Sequence, residues 1–94
     1  EVDGYIFASR REAARYSELR ILEKAGEIID LELQPQYPCT VNGKLICKYI
    51  ADFRYTSVKR GNVVIEDAKG FKTPVYRLKK KMVEAIYNII IIEV

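Results

Sequence analysis

Histidine is absent from all 94 residues. That removes Ser-His-Asp and Cys-His nucleophile systems, HExxH zinc hydrolysis and every histidine general base. Any catalysis must run on carboxylates, lysine and a bound ion. Cysteine is nearly absent: Cys39 and Cys47 flank an Asn42-Gly43 turn, and counting outward from that turn puts them one residue out of register. A disulfide is therefore not expected, and two thiols without histidine fall short of a zinc site, so free thiols in a reducing cytoplasm are the expectation. No apolar run is long enough to span a bilayer, Ile89 to Ile92 included, and no signal-like segment opens the chain. A soluble cytoplasmic protein without a membrane partner is expected. The sequence starts at Glu1 in mid-pattern, without a methionine, so further N-terminal residues, able to add basic charge, are expected to precede it.

What remains is enough for one domain over residues 1–94. Apolar residues make up 49% of the chain, so it should fold, but its length leaves no room for a second core. The net charge of +3 is mild, yet Lys69, Lys72, Arg77, Lys79, Lys80 and Lys81 form a stretch without an acid, while the segment before Gln34 is rich in Glu and Asp. Such a basic stripe suggests phosphate contact; a solvated helix face is the plain alternative.

Ser9 followed by Glu12 is a capping-box signature that opens a helix through about Ala25, with Gly26 as its left-handed stop. Tyr16, Leu19 and Leu22 give it a buried stripe. Leu31 to Tyr37 reads as a first strand ended by Pro38, and Asn42-Gly43 turns the chain into a second from about Leu45 to Tyr55. Lys59-Arg60-Gly61-Asn62 makes the next hairpin, into Val63 to Lys69. Thr73 caps and Pro74 starts a second helix, with Val75, Leu78, Met82 and Ile86 inward at helical spacing. Ile89 to Val94 reads as an interior strand, buried on both faces and paired in parallel after a helical crossover. The expected order is α-β-β-β-α-β, without repeats or low-complexity linkers.

Asp67 and Lys69 lie two apart on a strand and so project from the same face of its end, and Asp52 closes a neighbouring strand. Two acids and a lysine at adjacent strand ends can hold a hard divalent cation on oxygen ligands and set an ammonium beside a water. A surface ion pair of little energetic weight is the bland reading of Asp67 and Lys69. Glu66 alternates with Asp67 and faces away from Lys69, solvent-side or helix-covered. Glu12 has two readings. It can return a hydrogen bond to its own cap; lying one turn before Tyr16, it also points along the buried stripe, where a lone carboxylate needs a cation or a donor.

A helix with an inward Glu12, then Asp52, then Asp67-Ala68-Lys69 in this element order resembles the PD-(D/E)xK nuclease superfamily. The resemblance extends over nearly the whole chain, through Phe7-Ala8-Ser9, Gly26-Glu27-Ile28, Gln34-Pro35, Tyr49-Ile50-Ala51-Asp52-Phe53, Glu66-Asp67-Ala68-Lys69-Gly70 and Tyr76-Arg77-Leu78-Lys79. That wording is similar to a family of small phage and prophage proteins of unassigned function, placed beside phage junction-resolving endonucleases that share a Lys-Gly after the last acid.

The resemblance implies an α/β (α+β) restriction-endonuclease-like core, a mixed sheet flanked by two helices. It makes Asp52 and Asp67 ligands of Mg2+ or Mn2+, Glu12 the helix-borne acid that completes the metal site, and Lys69 the residue that positions or activates water. Ala51 stands where the superfamily has proline, and Asp67 where glutamate is more frequent. Lys72, Arg77, Lys79 and Lys80 would track the DNA backbone, positioning it without reading bases. Cleavage of DNA, on branched or junction substrates, is the function so implied; homodimer formation stays open. Two alternatives stand beside it: a double-stranded-RNA-binding-like domain, whose α-β-β-β-α order is shared, and a catalytically idle phage nucleic-acid-binding protein.

Overall fold

The structure is a computed structural model that describes residues 2–94. It is a mixed α+β fold. Helix α1 (Arg10–Lys24) starts where the capping signature puts it: the Ser9 hydroxyl accepts the Glu12 N–H at 3.1 Å, and Gly26 takes φ +78° just past the end. Glu12, Tyr16 and Leu19 are its buried residues, at the spacing that puts them on one helical face.

The two long strands expected from the sequence are each broken. Ile28–Leu33 (β1) and Gln36–Val41 (β2) replace the first; Lys44–Ile50 (β3) and Phe53–Ser57 (β4) replace the second. Gln34 has φ +53° and Pro35 has no N–H to continue a ladder. The opposite break falls at Ala51-Asp52, and the two breaks are knitted together, Gln34 N–H to Asp52 O at 2.9 Å and Ala51 N–H to Pro35 O at 3.1 Å. A two-stranded ribbon, β2 with β3, is thereby separated from the main sheet. Pro38 lies inside β2 rather than ending a strand; a two-stranded ribbon consists only of edges, where a missing donor is tolerated. A bulge beside Cys39 corrects the register, so that Cys39 and Cys47 face each other directly. Both are nevertheless free thiols.

The main sheet runs β1-β4-β5-β6, with β5 at Val63–Asp67 and β6 at Ile91–Glu93. Its first pairings are antiparallel. The last, β5 with β6, is parallel, reached through helix α2 (Pro74–Tyr87) as a crossover requires. The final strand is an edge strand, not an interior one. Ile91 is buried beside Ile65 and Val83, whereas Ile90 and Ile92 are exposed. The unbroken isoleucines overstate burial because β6 has a neighbour on one side only.

Each sheet face packs its own cluster. Phe53 opposes Glu66 and Tyr55 opposes Val64, and directly opposed residues share a face. That face meets Tyr16, Leu19 and Leu22 of α1. The other, carrying Ile65 and Ile91, meets Val83 of α2 together with Tyr37, Cys39 and Tyr49 of the ribbon. α2 is turned from its expected orientation. Val75, Leu78 and Ile86 are exposed; Val83 is fully buried, and Tyr76 and Met82 pack beside it. The tyrosines explain the rotation. Tyr76 donates to Glu93 Oε2 at 2.9 Å and Tyr87 to Pro38 O at 2.6 Å, so their rings cover apolar surface while their hydroxyls stay bonded at the exposed rim.

Glu66 lies beneath α1, fully paired. Arg15 Nε and Nη2 reach its two oxygens at 2.7 Å each, and the Tyr55 hydroxyl donates to Oε2. Removing one partner of a buried pair strands the other charge. Arg15→Met should therefore lower unfolding stability by about 3 kcal/mol, with most of the loss recovered in an Arg15→Met/Glu66→Leu double variant. Urea unfolding measures both.

Candidate functional site

The break between β3 and β4 puts Asp52 beside the end of β5. Its N–H donates to Glu66 O at 3.1 Å, and its Oδ2 accepts the Ala68 N–H at 2.7 Å. Asp67, the last residue of β5, is fully buried. Its Oδ2 accepts the hydroxyl of Tyr49 from the ribbon, while its Oδ1 is buried with no hydrogen-bond partner. Lys69 Nζ stands 3.6 Å from that Oδ1 and 5.1 Å above the Tyr76 ring. Glu12 reaches in from α1. The bond expected to return to its own cap goes instead from Ala8 N–H to Glu12 Oε1, at 3.3 Å, and Asp52 is a charged neighbour of its carboxyl.

Asp52 thus neighbours both Glu12 of α1 and Asp67 of β5, close enough for its charge to act on each. Each of these acids has one oxygen engaged by a donor from a neighbouring segment. Burial, then the Asp52 charge, raises the Glu12 pKa. Burial, then contact with Asp52, pushes Asp67 up to about 7 against the pull of the Tyr49 hydroxyl and Lys69. Glu66 is no part of this group; its oxygens belong to Arg15 and Tyr55.

The donors come as two overlapping pairs, Glu12 with Asp52 and Asp52 with Asp67. Among the described residues no group of three or more His, Cys, Asp or Glu side chains is drawn close enough to hold a metal ion by itself. An all-oxygen set excludes a soft-metal preference, and Mg2+ binds through one or two carboxylates while keeping several waters. An unbonded, fully buried Asp67 Oδ1 beside a second carboxylate fits that ion. Asp52 and Asp67 would hold it, with Glu12 next to Asp52.

The basic residues divide. Lys72 and Lys80 lie 3.8 and 3.6 Å from Glu93, whereas Arg77 and Lys79 have no ion pair among the described residues. Lys72, Arg77, Lys80 and Lys81 line an open cleft of about 350 Å³ with Glu84 and Glu93. Sequence reasoning missed Tyr49, whose only signal is that a tyrosine destined for burial needs a hydroxyl partner. It also missed exposed Lys44 and Lys48 on the ribbon, although Gln34 to Ala51 is a second stretch without an acid.

Residues 1–93 match the family described as "Protein of unknown function (DUF1064)". The chain belongs to that family. No curated protein matches the chain, and no solved structure does. No helix among the described residues is long and apolar enough to cross a membrane.

A carboxyl whose folded pKa is raised adds stability fully below its unfolded value, 3.8 for Asp67, and loses it as pH climbs through about 7. Asp67→Asn removes that loss and still accepts from Tyr49. In metal-free buffer its stability relative to the unsubstituted protein should rise by roughly 4 kcal/mol between pH 4 and pH 8. Urea unfolding across that range checks the sign.

Proposed function

We propose that this chain is a metal-dependent DNA endonuclease of the PD-(D/E)xK type. The observation that carries the reading is the fully buried Oδ1 of Asp67, without a hydrogen bond and 3.6 Å from the Lys69 ammonium, on a carboxyl that has Asp52 as a charged neighbour. A buried oxygen left without a donor is costly, and a cation is the partner that relieves both it and the repulsion between the acids. Glu12 would add a further oxygen on the far side of Asp52.

In this reading Asp52 and Asp67 bind Mg2+ or Mn2+, which when bound stabilises the charge that develops on the phosphate and on the leaving 3′ oxygen. Lys69, held by Asp67 and by the Tyr76 ring, orients the attacking water in line with the scissile bond. Arg77 and Lys79 contact phosphates, with Lys72 and Lys80 able to exchange Glu93 for a phosphate; selectivity is then for DNA shape, with branched or junction DNA as the substrate class. The resemblance to phage proteins makes a phage or prophage gene product in the bacterial cytoplasm the proposed setting.

Mn2+ or Mg2+ should raise the melting temperature, and Asp67→Asn should abolish most of that rise. Lys69→Ala should lose cleavage of a branched DNA while keeping its affinity. Removing the charges of Arg77 and Lys79 should do the reverse, weakening binding and flattening its salt dependence by roughly 0.9 in log–log slope per lost phosphate contact. Equal cleavage by the unsubstituted protein and Lys69→Ala would defeat the mechanism. Metal-independent binding of duplex RNA without any cleavage would favour an RNA-binding domain instead.

A further inference from the structure

We propose that Tyr49 is the positioning residue of the acid site: its hydroxyl engages Asp67 Oδ2 and so leaves Oδ1, on the Lys69 side, as the oxygen open to a cation. The inference rests on the reading of Asp52 and Asp67 as metal ligands. A carboxylate on a short Asp side chain has few ways to present a chosen oxygen, and in a fully buried position each alternative rotamer needs a donor of its own. Tyr49 is the donor observed. Its ring is buried in the cluster that joins the ribbon to α2 and to Ile65, which fixes the hydroxyl in place. Tyr76 does the matching work for the cation side of the site. Its ring seats Lys69 Nζ at 5.1 Å, its own hydroxyl is anchored on Glu93 at 2.9 Å, and the two tyrosine rings stand 6.3 Å apart. Side chains that orient a ligand from behind it set its affinity for metal. A purely structural tyrosine would set stability alone.

The test uses the full chain and Mn2+ by itself. In isothermal titration, Tyr49→Phe should bind Mn2+ roughly 10-fold or more weakly than the unsubstituted protein, whereas Asp67→Asn should abolish binding. The unsubstituted protein should also show an ultraviolet tyrosine difference spectrum on adding Mn2+, because the ion draws on the carboxylate that Tyr49 bonds. That signal should persist in Tyr76→Phe and vanish in Tyr49→Phe. It is measured first without any substitution, so it decides even if Tyr49→Phe does not fold. Equal Mn2+ affinity in Tyr49→Phe, or a tyrosine spectrum blind to Mn2+ in a protein that binds it, overturns the role of Tyr49 and leaves the metal site standing. Absence of Mn2+ binding by the unsubstituted protein overturns both.

Discussion

Three hydrogen bonds at Asp52 hold the functional end of the molecule together. Its N–H is given to Glu66 O, its carbonyl accepts from Gln34 and its side chain accepts from Ala68. They tie the point where β1 gives way to β2, the point where β3 gives way to β4, and the end of β5. Without this knot the long strands could run straight on, since nothing in their apolar content requires a break. With it, the ribbon turns out of the sheet, Tyr49 comes over the end of β5, and Asp52 is fixed beside Asp67. The same residue is thus both a backbone fastening and a member of the acid group: its main chain makes two of the three bonds and its carboxylate the third.

The acid group sets chemistry against folding stability. Carboxyls withdrawn from water beside one another oppose ionisation, and burial and Asp52 raise the Asp67 pKa accordingly. Part of that opposition is answered from within the chain by Tyr49, Ala8, Ala68 and Lys69. The part left over is the unbonded oxygen. The rest of the molecule offsets it through apolar clusters on both sheet faces.

How much of this was legible in the sequence differs by residue. The cap at Ser9, the buried stripe of α1, the helix start at Thr73 and Pro74 and the parallel return of the last strand rest on local signals, and they stand in the structure. The strand breaks rest on Pro35, a local signal, together with a positive φ at Gln34 and a long-range exchange of hydrogen bonds with Asp52, which no local pattern announces. The orientation of α2 was misread because Val75, Leu78, Met82 and Ile86 satisfy helical spacing as well as the true face does. The true face carries Tyr76 and Tyr87, whose rings pack against the ribbon tyrosines while their hydroxyls bond Glu93 and the Pro38 carbonyl. The register of Cys39 and Cys47 shifted through a bulge, one residue that a count from the turn passes over. The placement of Glu12 and Asp52 near each other, by contrast, follows from the inward stripe and the strand end already visible in the sequence.

Glu66 and Asp67 show how one strand end separates architecture from a site. They are adjacent, both acidic and both buried, and pleating sends them to opposite faces. On the α1 face Glu66 meets a guanidinium in bidentate geometry and a tyrosine hydroxyl, and both of its oxygens are engaged. On the α2 face Asp67 meets one tyrosine and a lysine 3.6 Å away, and one oxygen has no hydrogen bond. Burial alone therefore does not mark a functional acid, since both are equally enclosed. The distinguishing quantity is donor supply: a full complement fastens helix to sheet, whereas a missing donor leaves one oxygen of Asp67 without a hydrogen bond.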